Sequence, residues 1–178
     1  WTNTLSIPFP WYRAFLRSEE QGMTRRYTLD AYLRRGIKLR ITCDASPWAA
    51  GAYLIMNDVV VEYLQEPVSD TDANVMNCEI GSCRSQQAFE ALAVLAALRL
   101  WKPWWINRRV CLEVRSDSVS ALIMLVKLKA SGLGTNLIAR ELALDICDSL
   151  YEPNVAAHVP GEANLIAYHL SRVTERSG

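Results

Sequence analysis

Leu39-Arg40-Ile41-Thr42-Cys43-Asp44 is the stretch that decides the fold. Leu39, Ile41 and Cys43 alternate with Arg40, Thr42 and Asp44, the period-two pattern of a half-buried strand, and the run ends on a carboxylate. A carboxylate at the edge of apolar surface is costly unless its charge is compensated. Two more acids stand in similar positions downstream: Glu90 inside the helical run from Ser85 to Trp101, and Asp117 after the apolar Val110 to Val114. A chain that folds these three together offers a site for divalent cations.

Outward from that strand the pattern continues. Gly51 to Met56 and Val59 to Leu64 flank Asn57-Asp58, which reads as a hairpin turn. Glu66 to Arg84 is polar and irregular, and reads as a loop. Phe89, Leu92, Ala93, Ala96 and Leu100 recur at helical spacing, and Pro103 stops the helix. Arg109 to Arg115 reads as a fourth strand, Ser116 to Lys129 and Thr135 to Leu150 as helices, Asn154 to Val159 as a fifth strand, and Asn164 to Val173 as a last helix. Three strands, helix, strand, helices, strand, helix is the order of an α/β protein. It predicts a five-stranded mixed sheet, a three-strand antiparallel meander plus two parallel strands, flanked by helices.

Upstream, Trp1 to Pro10 reads as an extended lead-in in which Pro8 and Pro10 oppose helix. Trp11 to Glu20 reads as a short helix with Trp11, Phe15 and Leu16 on one face, and Thr28 to Arg35 as another turn or two ended by Gly36. This region is too small for a core of its own and is expected to pack on the domain C-terminal to it. The division is therefore a lead-in over residues 1–38, a domain over 39–174 and a tail over 175–178.

The chain of 178 residues suits one domain plus an appendage and is long enough to bury a core. No apolar run reaches the ~18 residues that span a bilayer, and the start lacks a secretory signal pattern, so a membrane role is not expected. Cys43, Cys111 and Cys147 lie in apolar patterns, where a thiol acts as a small core residue. Cys78 and Cys83 have no second pair or suitably spaced histidine to complete a zinc site. The expectation is an intracellular protein with reduced thiols. Net charge is zero, which argues against binding nucleic acid by bulk charge alone. Residues 1–40 nevertheless carry Arg13, Arg17, Arg25, Arg26, Arg34, Arg35, Lys38 and Arg40 against Glu19, Glu20 and Asp30. That excess is either a solvated face or a flank that contacts phosphates.

Four motifs occur in order: Thr42-Cys43-Asp44-Ala45-Ser46 with Gly51-Ala52 beyond it; Phe89-Glu90-Ala91-Leu92-Ala93-Val94; Arg115-Ser116-Asp117-Ser118; and His158-Val159-Pro160-Gly161-Glu162-Ala163-Asn164 followed by Ala167-Tyr168-His169-Leu170-Ser171-Arg172. Together they resemble the ribonuclease H domain of retroelement reverse transcriptases, most nearly that of gypsy-type and tyrosine-recombinase elements. The resemblance covers about Leu39 to Val173. It implies a ribonuclease H-like fold, a lead-in that tethers the domain to a polymerase, and a setting in the cytoplasm or within a retroelement particle. It also implies endonucleolytic hydrolysis of the RNA strand of an RNA–DNA hybrid by two Mg²⁺ ions, with Mn²⁺ as a substitute.

On that resemblance Asp44 bridges the two ions, and Glu90 and Asp117 hold the one beside the leaving group. Each has a plainer reading as well. Asp44 starts a turn, Glu90 is a solvated helix residue, or Asp117 caps the following helix. Tyr168 is the departure: the family's Ala-Asp-x-Leu-Ser-Arg places a fourth carboxylate there, for the metal that activates the attacking water. A neutral phenol is a poor Mg²⁺ ligand, and His169, about 100° further around the helix, points elsewhere. The resemblance therefore implies a nuclease weakened or inactivated at one metal. His158 precedes the Pro160-Gly161 loop and reads as structural.

For the hybrid, the resemblance implies recognition by shape, through 2′-hydroxyls on the RNA strand and phosphates on the DNA strand. Contacts are expected from the backbone around Asp44, Ala45 and Ser46, from Gln86 or Gln87, and from Asn74 or Asn77. Trp101, Trp104 and Trp105 read as core or domain contacts before a duplex grip, and Lys127 and Lys129 as solvated lysines. The competing reading is a non-catalytic relative that packs on a polymerase and binds the hybrid as a scaffold. A more distant one is an integrase or junction resolvase with the same carboxylates.

Overall fold

The computed structural model describes residues 8–17, 33, 35–106, 110–147 and 153–173. Its centre is a five-stranded sheet of order β3-β2-β1-β4-β5, formed by β1 (Ile37–Ala45), β2 (Ala49–Met56), β3 (Val59–Pro67), β4 (Val110–Ser116) and β5 (Pro153–His158). β1, β2 and β3 pair antiparallel, while β4 is parallel to β1 and β5 parallel to β4. This is the mixed sheet that the sequence pattern predicts. The hairpin turn at Asn57-Asp58 takes positive φ at both residues, as a tight two-residue connection requires.

The helices are α1 (Pro8–Arg17), α2 (Asp70–Met76), α3 (Gln86–Leu100), α4 (Val119–Lys127), α5 (Leu133–Cys147) and α6 (Leu165–Leu170). Strand alternation sorts what they cover. Leu39, Ile41 and Cys43 pair with Leu112, Val114 and Ser116 on one side and with Met56, Leu54 and Ala52 on the other, so these residues share a face. Phe89, Ala93, Val94 and Ala97 of α3 join that face in one buried cluster, with α4 and α5 packed beside α3. Burying a side chain such as Phe89, fully enclosed here, stabilises by about 1.5–3 kcal/mol. Thr42 and Asp44 point the other way, and α6 lies over that face on β1 and β2.

Gly51 makes the approach of α6 possible. It pairs with Asp44, and a Cβ added to it would stand 2.5 Å from Ala167 O, 2.5 Å from Ser171 N and 2.8 Å from Leu170 Cβ. Trp101 and Trp105 are buried in the core, in keeping with the structural reading of both, and Trp104 Nε1 donates to Glu62 Oε1 at 2.9 Å. At the far end of α3, Arg99 donates to Asp145 Oδ2 at 2.7 Å and pairs with Glu141, tying α3 to α5.

Two expectations are corrected. Glu66 to Arg84 is not wholly a loop: β3 runs to Pro67, and α2 is a helix whose N-cap, Ser69, accepts from Asp72 N at 3.0 Å. Pro8 and Pro10 do not oppose helix but sit in the first turn of α1, where a missing N–H breaks no intrahelical bond. Tyr12 and Leu16 of α1 are exposed, while the side chains of Trp11 and Phe15, on which the packing expected of this segment also rests, lie outside the described residues. The helix expected over Thr28 to Arg35 lies outside the described residues, apart from Leu33 and Arg35. Cys43, Cys78, Cys83 and Cys111 are free thiols. No helix among the described residues is long and apolar enough to cross a membrane.

Candidate active site

The three acids come from three elements. Asp44 is the penultimate residue of β1, Glu90 lies one turn into α3, and Asp117 follows the end of β4. β1 and β4 are adjacent and parallel, with Cys43 in register with Ser116, so the next residue of each, Asp44 and Asp117, emerges at the same end of the sheet. α3 brings Glu90 there because its apolar side is held on β1 and β2.

The carboxylates are close enough to repel one another. Burial pushes the Asp44 carboxyl above the usual carboxylate range; a hydrogen bond from Ser171 pulls it back, the Asp117 charge adds to the rise, and Arg172 opposes it. Glu90 is also raised, first by burial, then against the hydrogen bonds from Ser118 and Gln86, with the charges of Asp117 and Asp44 adding to the effect. Asp117 Oδ1 is buried and accepts no hydrogen bond. A buried carboxylate oxygen without a donor is costly and favours a bound cation.

A set of carboxylate oxygens is the donor type that Mg²⁺ takes, so the residues present fit that ion. Among the described residues, however, no three His, Cys, Asp or Glu side chains stand ready to hold a metal together. Asp44 is already engaged by α6. Ser171 Oγ donates to Asp44 Oδ2 at 2.6 Å, and Arg172 Nη1 donates to the same oxygen at 3.1 Å. Asp44 is thus directed toward α6.

Tyr168 is 40% exposed, and its ring carries the Arg172 guanidinium, whose Cζ is 3.7 Å from the ring centroid. His169 meets the Tyr168 ring edge-on, with centroids 5.6 Å apart. His158 ends β5 in register with Ser116, and its side chain is exposed. The plainer roles fall to neighbours of the acids. Ser46, not Asp44, builds the turn after β1, accepting from Trp48 N and Ala49 N. Ser118, not Asp117, caps α4, accepting from Ala121 N at 3.3 Å.

The residues expected to touch a hybrid are disposed unequally. Ala45 and Ser46 are buried, and Ser46 Oγ donates to Ser171 O at 2.6 Å. Gln86 Nε2 donates to Ala45 O at 2.6 Å and to Glu90 Oε1 at 3.3 Å, so it ties α3 to the end of β1. Gln87, Asn74 and Asn77 are exposed, as are Lys127 and Lys129. Sequence reasoning assigns no role to Ser171, Arg172 or Ser118. The partner of the first two, Asp44, lies 127 and 128 positions away in the chain, so no local signal could have found them.

No family model matches the chain. Comparison with curated proteins likewise finds no match. Solved structures do match. Ribonuclease H1 from the halophilic archaeon Halobacterium salinarum NRC-1 aligns with a TM-score of 0.53 at 15% identity, over 80% of this chain and 98% of its own. The N-terminal ribonuclease H domain of Rv2228c from Mycobacterium tuberculosis gives 0.53 at 14%, over 75% and 95%. LC11-RNase H1, solved in complex with an RNA/DNA hybrid, gives 0.52 at 16%, over 75% and 92%. The chain has a ribonuclease H-like fold and spans nearly the whole length of these neighbours.

Proposed function

We propose that this chain is the ribonuclease H domain of a retroelement reverse transcriptase, hydrolysing the RNA strand of RNA–DNA hybrids in a form weakened by Tyr168. The observation that carries the reading is the meeting of Asp44, Glu90 and Asp117 at one end of the sheet, with Asp117 Oδ1 buried and unsatisfied. The fold, and a neighbour of that fold solved on a hybrid, support the substrate class.

Asp44, Glu90 and Asp117 would hold Mg²⁺ or Mn²⁺. Such ions, when bound, supply an activated water and compensate charge on the leaving oxygen. The chain's own contribution is to fix these oxygens. Gln86 and Ser118 steady Glu90, and β1 and β4 hold Asp44 and Asp117 on adjacent rigid strand ends. Gln87, Asn74 and Asn77 are free to meet the two backbones of a hybrid, and the basic residues 1–38 would lead back to a polymerase. A non-catalytic scaffold that binds the hybrid is the second reading, and the engagement of Asp44 by Arg172 favours it.

The test is cleavage of a labelled RNA–DNA hybrid in Mg²⁺ and in Mn²⁺, with hybrid binding measured beside it. Tyr168→Asp restores a ligand and is expected to raise cleavage by about tenfold or more. Hybrid bound but left intact by both proteins would favour the scaffold, and equal preference for duplex DNA would defeat both readings.

A further inference from the structure

We propose that the Arg172 guanidinium is a resident counter-ion of this site, held between the Tyr168 ring and Asp44 Oδ2, where it competes with divalent cations for Asp44. This rests on the reading that the carboxylates bind metal.

The geometry divides the guanidinium between two tasks. Its face lies on the phenol ring, 3.7 Å from the centroid, an arrangement that engages the π-cloud and leaves the in-plane N–H groups free. Nη1 then reaches Asp44 Oδ2 at 3.1 Å. Ser171 Oγ takes the same oxygen at 2.6 Å and also accepts from Arg172 Nη1 at 3.1 Å, closing a three-membered network. An ionised carboxylate oxygen has about two acceptor positions, so a metal could gain this oxygen only by displacing a donor. Among the described residues no other basic side chain bonds to any of the three carboxylates, so this contact is their one local positive charge.

Tyr168 matters here in two ways. It brings no negative charge that would draw Arg172 away from Asp44, as an acid four residues earlier on a helix would. It also adds a platform that fixes a long, flexible side chain in the orientation that reaches Asp44. A half-exposed arginine without such support would spread over many rotamers. The pairing is therefore a property of the two side chains together.

The test is Mn²⁺ binding to the full chain, followed by electron paramagnetic resonance of the free ion and by calorimetry. Arg172→Gln is expected to tighten Mn²⁺ binding by about ten- to a hundredfold, the range set by one charge-assisted hydrogen bond. Tyr168→Leu, at an exposed position, should also tighten it, by less. Arg172→Gln should melt lower than the parent chain in EDTA, because Asp44 loses its partner, and recover more on adding Mn²⁺. Adding Asp44→Asn to Arg172→Gln should abolish the gain.

Parent affinity in both Arg172→Gln and Tyr168→Leu would overturn the proposal, as would a gain that survives Asp44→Asn. Should Arg172→Gln fail to fold, Tyr168→Leu alone decides. Tighter Mn²⁺ binding together with no cleavage by Tyr168→Asp would uphold the competition while removing the nuclease. Cleavage by Tyr168→Asp with unchanged Mn²⁺ binding in the other two would do the reverse.

Discussion

Replacing Gly51 with alanine tests the contact on which the site's geometry depends. The added methyl would stand 2.5 Å from Ala167 O and Ser171 N and 2.8 Å from Leu170 Cβ. None of these is the flexible end of a side chain, so relief requires α6 to move off β2 by roughly 1 Å to reach ordinary contact distance. Overpacking of this kind costs about 1–3 kcal/mol. A shift of that size also stretches the Ser171 and Arg172 bonds to Asp44, from 2.6 and 3.1 Å, toward or past the limit of a hydrogen bond. Losing them adds on the order of 1–3 kcal/mol, and the lower entropy of an unfolded alanine returns about 0.4–1 kcal/mol. The net expectation is a loss of about 2–4 kcal/mol, or roughly 5–15 °C in Tm for a domain of this size. Thermal unfolding in EDTA measures it. Gly132→Ala is the control, since its methyl would meet only Thr135 Oγ1, a hydroxyl that can rotate away. If Gly51→Ala melts with the parent protein, or if Gly132→Ala falls as far, then α6 is not wedged on Gly51 and its hold on Asp44 needs another explanation.

Ser46→Ala removes one buried hydroxyl that donates to Ser171 O and accepts from Trp48 N and Ala49 N. About 2–3 kcal/mol should be lost in urea unfolding, and a loss under 0.5 kcal/mol would mean that water replaces the hydroxyl. The raised carboxyls of Asp44 and Glu90 make the folded chain bind protons more tightly than the unfolded chain. Metal-free stability should therefore fall as pH rises from the ordinary carboxylate range through the raised folded values, and Glu90→Gln should flatten that slope. Glu113 has the opposite sign. Partial burial would raise it, but Arg40 and Arg115 outweigh that and lower it, so its contribution is present above the ordinary range and lost as pH falls through the folded value. Because the site is part-exposed, Glu113→Gln should cost less than about 1 kcal/mol near neutral pH, and a larger loss would show that screening is weaker than its exposure implies.

What could be read in advance came from period and register. The alternation in Leu39 to Asp44 set both the strand and the side to which Asp44 points, and the apolar stripe through Phe89 and Ala93 set the face of α3 that packs on the opposite side of the sheet. The convergence of Asp44, Glu90 and Asp117 is then a consequence of topology. Helix α2 was missed because only Ala73 and Met76 of its seven residues are buried, too few to show a period; the Ser69–Asp72 cap was the available sign. Pro8 and Pro10 misled because a proline has opposite meanings in the interior and in the first turn of a helix. The contacts of Ser171 and Arg172 with Asp44 span 127 and 128 positions, and no local pattern encodes a pairing across that distance.

One short helix separates two kinds of constraint. Asn164, Ala167 and Ser171 are buried, and Asn164 Nδ2 donates to Cys43 O at 3.1 Å while Ser171 N and O face Gly51 and Ser46. These residues fasten α6 to β1 and β2. Tyr168 lies on the exposed side of the same helix, where its ring meets Arg172 and not the sheet itself. A change at position 168 can therefore alter the charge presented to Asp44 while leaving the fold intact, whereas a change at Ser171 would disturb both. Leu170-Ser171-Arg172 stands directly beyond Tyr168 and His169, with Ser171 on the sheet side and Tyr168 on the exposed side. Ser171 thus reports on the seat of α6, whereas position 168 acts on Asp44 only through Arg172.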